Sequence, residues 1–226
     1  YHEAHDEAGN SKGPFRDGEW DQSDKDKEYT SHRTIRVVVN DAPLIGETRR
    51  YAESRCRFAY GMTVLSAGTP MFLFGEEVGA ERRFKYNTVL QNKENLLELG
   101  KSSGAQLFRF YSELNRLRLS WPALRDRNIE VIYVHNVNRV LVYHRWDADQ
   151  QLLVVGSLND HSFDQGYWFF STLLRNGTWL EIFNSDASVY GGNNVGNYAG
   201  KVNATVGHMN CIIPANGFVV FRHVEN

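Results

Sequence analysis

Tyr1-His2-Glu3-Ala4-His5-Asp6-Glu7-Ala8-Gly9-Asn10 crowds three acids and two histidines into residues 2–7 and then breaks into Gly9-Asn10, a turn signal. How this stretch is read decides the fold. Ionisable groups gathered at the end of a short extended run are what a barrel enzyme needs, because the carboxyl ends of its strands open onto the site. The competing reading is a charged tail that faces water. A second stretch, Gly68-Thr69-Pro70-Met71-Phe72-Leu73-Phe74-Gly75-Glu76-Glu77, repeats the layout of an apolar strand ending in acids, and so favours the barrel.

Working outward, residues 11–33 form a polar stretch long enough to be functional or mobile, and Phe15, Trp20 and Tyr29 within it either lie over a site at the strand ends or are incidental. The β-branched run at residues 34–39 has the composition of a strand. Residues 47–67 carry helical periodicity through Phe58, Ala59, Met62 and Leu65, and Gly68 and Pro70 stop it. A helix feeding into the short apolar run at residues 71–74 is the αβ half of a parallel unit, whose strand is buried on both faces. Residues 106–119 predict a second helix, with Leu107, Phe110, Tyr111, Leu114 and Leu117 on one stripe and Arg109, Arg116 and Arg118 on a solvated face. After Trp121-Pro122 the period changes. Short β-rich runs at 129–134, 140–146, 152–158, 167–170, 179–183 and 218–222, separated by Asn, Asp and Gly, predict an antiparallel sandwich that starts near residue 125.

The opening segment "EAHDEAGN" (residues 3–10) followed by "GTPMFLFGEE" (68–77) resembles the last two barrel strands of the α-amylase superfamily, which includes amylases, trehalohydrolases and glycogen branching enzymes. The similarity continues through "FYSELNRLR" (110–118), "GTWLEIFNSD" (177–186) and "YGGNNVGN" (190–197). It implies an α+β chain: the last βα units of a (β/α)8 barrel over residues 1–124, then an all-β sandwich over 125–226. It places a helical return where composition alone reads residues 34–39 as a strand. It also implies a retaining activity on α-glucans, of the branching or the amylase kind. Asp6 would be the acid that stabilises the transition state, His5 would donate to sugar hydroxyls, and Glu76 and Glu77 would bind substrate, one pointing at the site and the other supporting a loop. The family's nucleophilic aspartate and acid/base glutamate lie on earlier strands, and nothing here replaces them. Glu3 and Glu7 are near Asp6 in sequence but alternate away from it along an extended segment. The fragment alone is therefore expected to be catalytically silent, its two barrel strands repacked, poorly ordered or covered by the remainder of the parent chain.

Composition limits the other classes. With 25 basic and 27 acidic residues among 226, the net charge of −2 provides no field for nucleic acid or an anionic membrane. Cys56 and Cys211 sit in apolar patterns and predict buried thiols in a reducing, cytoplasmic setting; the alternative is one disulfide in an exported protein, where Asn176-Gly177-Thr178 and Asn203-Ala204-Thr205 would be glycosylation acceptors. No metal-ligand spacing and no cofactor motif is present, no Gly-x-Ser-x-Gly frames a nucleophile, and His135, His144, His161, His208 and His223 predict singly satisfied side chains. The partner expected is an α-glucan. The rival class is a non-catalytic carbohydrate-binding or scaffolding module, in which some of Trp146, Trp168, Trp179, Tyr143, Tyr167, Tyr190 and Tyr198 leave the core to form a platform; a third is an interaction protein without sugar affinity.

Overall fold

The computed structural model describes residues 1–4, 33–82 and 94–224. Helix α1 (Thr34–Val37) is a single turn, so the β-branched run that composition reads as a strand begins as helix instead. Helix α2 (Gly46–Leu65) stacks Ala52, Cys56, Tyr60 and Val64 on one line, each four residues from the last, and all four are buried. It ends where Ser66 turns extended, and Gly68, at φ 103°, carries the chain away. Helix α3 (Leu96–Lys101) is capped by Asn95, whose side chain accepts from the Glu98 amide. Helix α4 (Ala105–Ser120) buries Leu107, Phe110, Tyr111 and Leu114 against α2, and Pro122 opens the short α5 (Pro122–Arg125).

Residues 71–74, expected as a barrel strand, belong to no sheet among the described residues, and Phe74 already lies in a turn. An apolar run becomes a strand only when a neighbour completes its hydrogen-bond ladder. Here none of the described residues does so, and Met71, Phe72 and Phe74 are each about half exposed.

The antiparallel β domain is present. Strands β1 (Ile129–His135), β2 (Val140–Trp146), β3 (Gln151–Ser157), β4 (Phe163–Phe170), β5 (Gly177–Asn184), β6 (Lys201–Thr205), β7 (His208–Ile213) and β8 (Gly217–Val224) pair in the order β1-β2-β3-β8-β5-β6-β7-β4, every pair antiparallel. Bulges in β1, β4 and β5 bend this single ladder. The bending lets β7 pack over β3 and β8, which are not its ladder neighbours, and the sheet closes as a sandwich. Two strands beyond those expected, β6 and β7, turn at Val206-Gly207, both with positive φ.

Alternation along β3 and β8 serves two cores at once. Leu153, Val155, Val219 and Phe221 fill the sandwich interior with Met209, Cys211 and Trp179. Leu152, Val154, Phe218 and Val220 point the other way and pack with Tyr60, Phe110 and Leu114 of the helices. Such doubly buried strands read as continuous apolar runs, as Leu152-Leu153-Val154-Val155 and Phe218-Val219-Val220-Phe221 do.

Two arginines join the layers. Arg118, expected on a solvated face, is instead buried, because it falls four residues after Leu114 on the apolar stripe. It donates to the carbonyls of Val64 and Ser66 at the end of α2. Arg145 of β2 has no exposed surface; it donates to the carbonyls of Leu65, Asn128 (2.8 Å), Leu124 (3.0 Å) and Asp126 (2.6 Å). All but the Asn128 carbonyl, which directly precedes β1, lie at helix ends, where intrahelical partners run out and the dipole favours a cation.

Candidate functional site

The two acidic stretches come together. From the first, Glu3 is buried, with Oε1 2.9 Å from Arg33 Nε and Oε2 accepting from the Thr34 amide at 2.7 Å. The Arg33 guanidinium then reaches the second stretch, donating through Nη2 to the Phe74 carbonyl at 3.0 Å. Gly75, at φ 95°, leaves room for this, since a Cβ there would lie 2.6 Å from Arg33 Nη2. Burial raises the Glu3 pKa; Arg33 opposes the shift and the Glu76 carboxylate adds to it. Glu3 thus has both oxygens committed to holding α1 and the loop at residues 71–77.

Glu76 is the second tie. It is 5% exposed at the start of a 3-10 turn, Glu76–Val78, and its Oε1 accepts from the Leu73 amide at 2.7 Å. Its Oε2 accepts from the Tyr111 hydroxyl at 3.3 Å and lies 3.0 Å from His2 Nε2. The other ring nitrogen of His2 is 3.3 Å from Thr63 Oγ1 of α2. Beneath these groups Tyr60 and Tyr111 stack with ring centres 3.6 Å apart, and Phe72 meets both edge-on. Burial holds the Tyr111 phenol far above its ordinary pKa and pushes Tyr60 up to about 12, so both stay neutral donors; Tyr60 donates to Asn115 Oδ1 at 2.9 Å. Glu77 is half-buried, and its Oε2 accepts from the Gly75 amide at 2.7 Å, closing its own turn.

His5 and Asp6, together with Glu7 and the aromatics Phe15, Trp20 and Tyr29, lie outside the described residues. The described flank of the site is Glu3 and His2 on one side and Phe74 and Glu76 on the other. Sequence reasoning named Glu76 and Glu77 but missed Arg33, Tyr60 and Tyr111, whose only signal was a buried position on a helical stripe or beside a cap.

Elsewhere the loop after β5 is held by its own polar groups. Asp186 accepts from the Val195 amide at 3.0 Å, Glu181 accepts from Asn197 and Ala199, and Arg57 donates to the Tyr190 carbonyl at 2.9 Å. A Cβ on Gly192 would sit 2.1 Å from the Asp186 carbonyl oxygen, so the close approach of the chain there requires glycine. Cys56 and Cys211 are free and buried, and burial raises both thiols, Cys211 to about 12. His223 and His135 are each satisfied through one ring nitrogen, by the Asn176 carbonyl at 3.1 Å and the Asn138 amide at 3.3 Å. His144 Nε2 is buried without a hydrogen-bond partner among the described residues, its ring 6.0 Å from that of Trp179. Among the described residues no group of three or more potential ligands could hold a metal, and no helix is long and apolar enough to cross a membrane.

Residues 133–224 match the family described as alpha amylase, C-terminal all-beta domain. The chain is homologous to the C-terminal region of 1,4-alpha-glucan branching enzymes and α-amylases. It is 30% identical over 176 residues to the 1,4-alpha-glucan branching enzyme GlgB of Thermosynechococcus vestitus, a match covering 73% of this chain and 22% of that one. It is 28% identical over 204 residues to GlgB of Dechloromonas aromatica, covering 82% of this chain and 31% of that one. Among solved structures, an alpha-amylase from H. orenii matches with a TM-score of 0.55 at 18% identity, over 78% of this chain and 36% of the other. AmyP in complex with maltose matches with a TM-score of 0.59 at 15% identity, over 84% and 38%. The chain thus spans between a fifth and a third of the length of these branching enzymes.

Proposed function

We propose that this chain is the C-terminal part of a retaining enzyme that cleaves or transfers α-1,4-linked glucans, with residues 1–124 completing a (β/α)8 barrel and residues 125–226 forming the sandwich. Breaking a glycosidic bond with retention takes a nucleophilic carboxylate and an acid about 5 Å apart, and the oxocarbenium-like transition state gains from groups that grip the sugar hydroxyls as the ring flattens. Asp6 is the residue assigned to that grip, as an ionised acceptor, and His5 donates beside it. Nucleophile and acid/base come from the upstream portion of the parent chain, which would also cover the half-exposed Met71, Phe72 and Phe74.

The observation that supports this reading is the convergence of the two tips: His2 on Glu76, and Glu3 through Arg33 on Phe74. His2 and Glu3 are thereby anchored to the second acidic stretch. Glu76 acts through His2 as a positioning residue, and the half-exposed Glu77 is assigned to substrate contact. The structural relative solved with maltose supports an α-glucan as the ligand class.

The test is to restore the upstream portion and compare wild type with Asp6→Ala, following both hydrolysis and branch formation on amylose. A loss of kcat of about 10²–10³-fold is expected when an electrostatic partner of the transition state is removed. Undiminished turnover in the variant would refute the assignment and favour the non-catalytic carbohydrate-binding module.

A further inference from the structure

Strands β1 and β4 end the sheet order, so each has one edge without a ladder partner among the described residues. Soluble proteins usually guard such edges with charge, proline or a bulge. β1 reads Ile129-Glu130-Val131-Ile132-Tyr133-Val134-His135 and has two of these guards, the charge of Glu130 and the bulge between Val131 and Tyr133. Its cross-strand neighbours assign the faces. Val131 and Val134 oppose Tyr143 and Leu141, which pack on the helical core, yet they lie past its cover and are 52% and 56% exposed. Tyr133 and His135 oppose Val142 and Val140 on the interior face, and Glu130, next to Val131, shares it. The extra residue Ile132 is what puts Val131 and Val134 on one face although they are three positions apart.

Both guards exclude an ordinary strand, because a regular one laid beside β1 would lose its face matching at the bulge and need not bring a donor to Glu130. A second copy of the chain brings both complements. Turned antiparallel about a two-fold axis, in the register that keeps faces matched along the strand, the two bulges fall opposite each other. Val131 of one copy then opposes Val134 of the other, and Glu130 opposes His135, each pair occurring twice. His135 is set for this role: its Nδ1 accepts from the Asn138 amide at 3.3 Å, which leaves the ring hydrogen on Nε2 to donate to a carboxylate. The β4 edge, joined to β1 by the Tyr133 and Tyr167 hydroxyls at 3.0 Å, exposes Trp168 and Phe170, but its ladder with β7 is interrupted between Phe163 and Tyr167. We propose that the chain self-associates through β1, as a two-fold dimer in which the two edges pair antiparallel and Glu130 of each copy accepts from His135 of the other. The valine pairs, with Cβ atoms about 5 Å apart, continue the apolar margin of each helical layer across the axis. This association is independent of the enzymatic reading.

One strand edge is a small interface, below about 1,200 Å², so the 226-residue chain is followed by sedimentation equilibrium up to ~100 μM. A dimer is expected, and Val131→Lys weakens it at least about tenfold by setting an ammonium against Val134. Glu130→His opposes two imidazoles and His135→Glu two carboxylates; each weakens association, and the double exchange restores it. Under mild oxidation a mixture of Val131→Cys and Val134→Cys chains joins into a disulfide-linked dimer, whereas neither variant does so alone, since Cys56 and Cys211 are buried. Thermal melts coincident with wild type establish that the variants remain folded. A wild-type chain that stays monomeric overturns the proposal, as does self-linking of Val131→Cys. A dimer that survives Val131→Lys but dissolves on Trp168→Lys or Phe74→Lys also overturns it, moving the contact to β4 or to the loop at residues 71–77.

Discussion

Replacing Arg145 by methionine is the most exacting perturbation this structure offers. The guanidinium is wholly buried, and its four donated hydrogen bonds end on the carbonyls of Leu65, Leu124, Asp126 and Asn128. No carboxylate pairs with it within salt-bridge distance among the described residues, and the nearby Arg118 cation further lowers a pKa that burial has already depressed. Hydrogen bonds from a charged donor contribute about 1.5–3 kcal/mol each. Four of them give a ceiling of roughly 6–12 kcal/mol, reduced because the bonds are not additive and because methionine spares the desolvation of a cation. What methionine cannot spare is the group of carbonyls left unmet in the interior. A net loss of about 3–5 kcal/mol is the expected outcome, the range found when a buried charge network loses one member. Urea unfolding followed in parallel by far-UV circular dichroism and tryptophan fluorescence reads it as a midpoint lowered by about 1–2 M. A loss below about 1 kcal/mol would mean that water or local relaxation satisfies those carbonyls, and the account of Arg145 as the fastening between helices and sheet would be wrong.

Acid titration offers a second check. Burial, reinforced by His223 and Arg175, pushes His144 down to about 4, so between about pH 6.5 and 4 the unfolded chain binds the proton and the folded one does not. Stability is therefore complete above pH 6.5 and declines as pH falls through that window. The full shift corresponds to about 3 kcal/mol, which solvent screening of a partly exposed ring reduces to ~1–2 kcal/mol. His144→Phe should flatten that part of the profile of melting temperature against pH, and an unchanged slope would assign the acid sensitivity elsewhere. Gly61→Ala gives a third. In a helix interior this change ordinarily stabilises by about 1 kcal/mol, but here the new Cβ would lie 2.0 Å from Phe218 Cε1. A loss of about 1–3 kcal/mol is expected, and a raised melting temperature would show that the Phe218 ring can yield.

Much of this was legible because local patterns and tertiary burial agreed. The stripe Leu107, Phe110, Tyr111 and Leu114 gave α4 nearly to the residue, and the apolar runs at 152–158 and 218–222 gave β3 and β8 as strands, though not their burial on both faces. Arg118 shows a signal present but outvoted: its spacing from Leu114 places it on the stripe, while its charge argued for solvent. Strands β6 and β7 were hidden by their turn, since Val206 has φ 50°, a conformation that β-branched residues rarely adopt and asparagine or glycine usually supplies. Yet Val202 and Ala204, then Met209, Cys211 and Ile213, alternate inward as strands should. At the site, Glu76 and Glu77 were named from their layout, whereas the tie from Glu3 through Arg33 to Phe74 was not. Arg33 sits at the end of a polar run with nothing in its neighbours to say that it spans from Glu3 to Phe74, because such a contact is a property of the folded path.

The two-sided burial of β3 and β8 has a practical corollary for anyone wishing to isolate the sandwich. A truncation starting near residue 125 would lay bare Leu152, Val154, Phe218 and Val220 as a continuous greasy wall and leave Arg145 facing water instead of its helix-end carbonyls. Such a piece should precipitate or cling to chaperones, whereas one beginning ahead of α2 keeps its own cover. Recombination that moves this sandwich onto another scaffold would, for the same reason, have to carry α2 and α4 along as cargo.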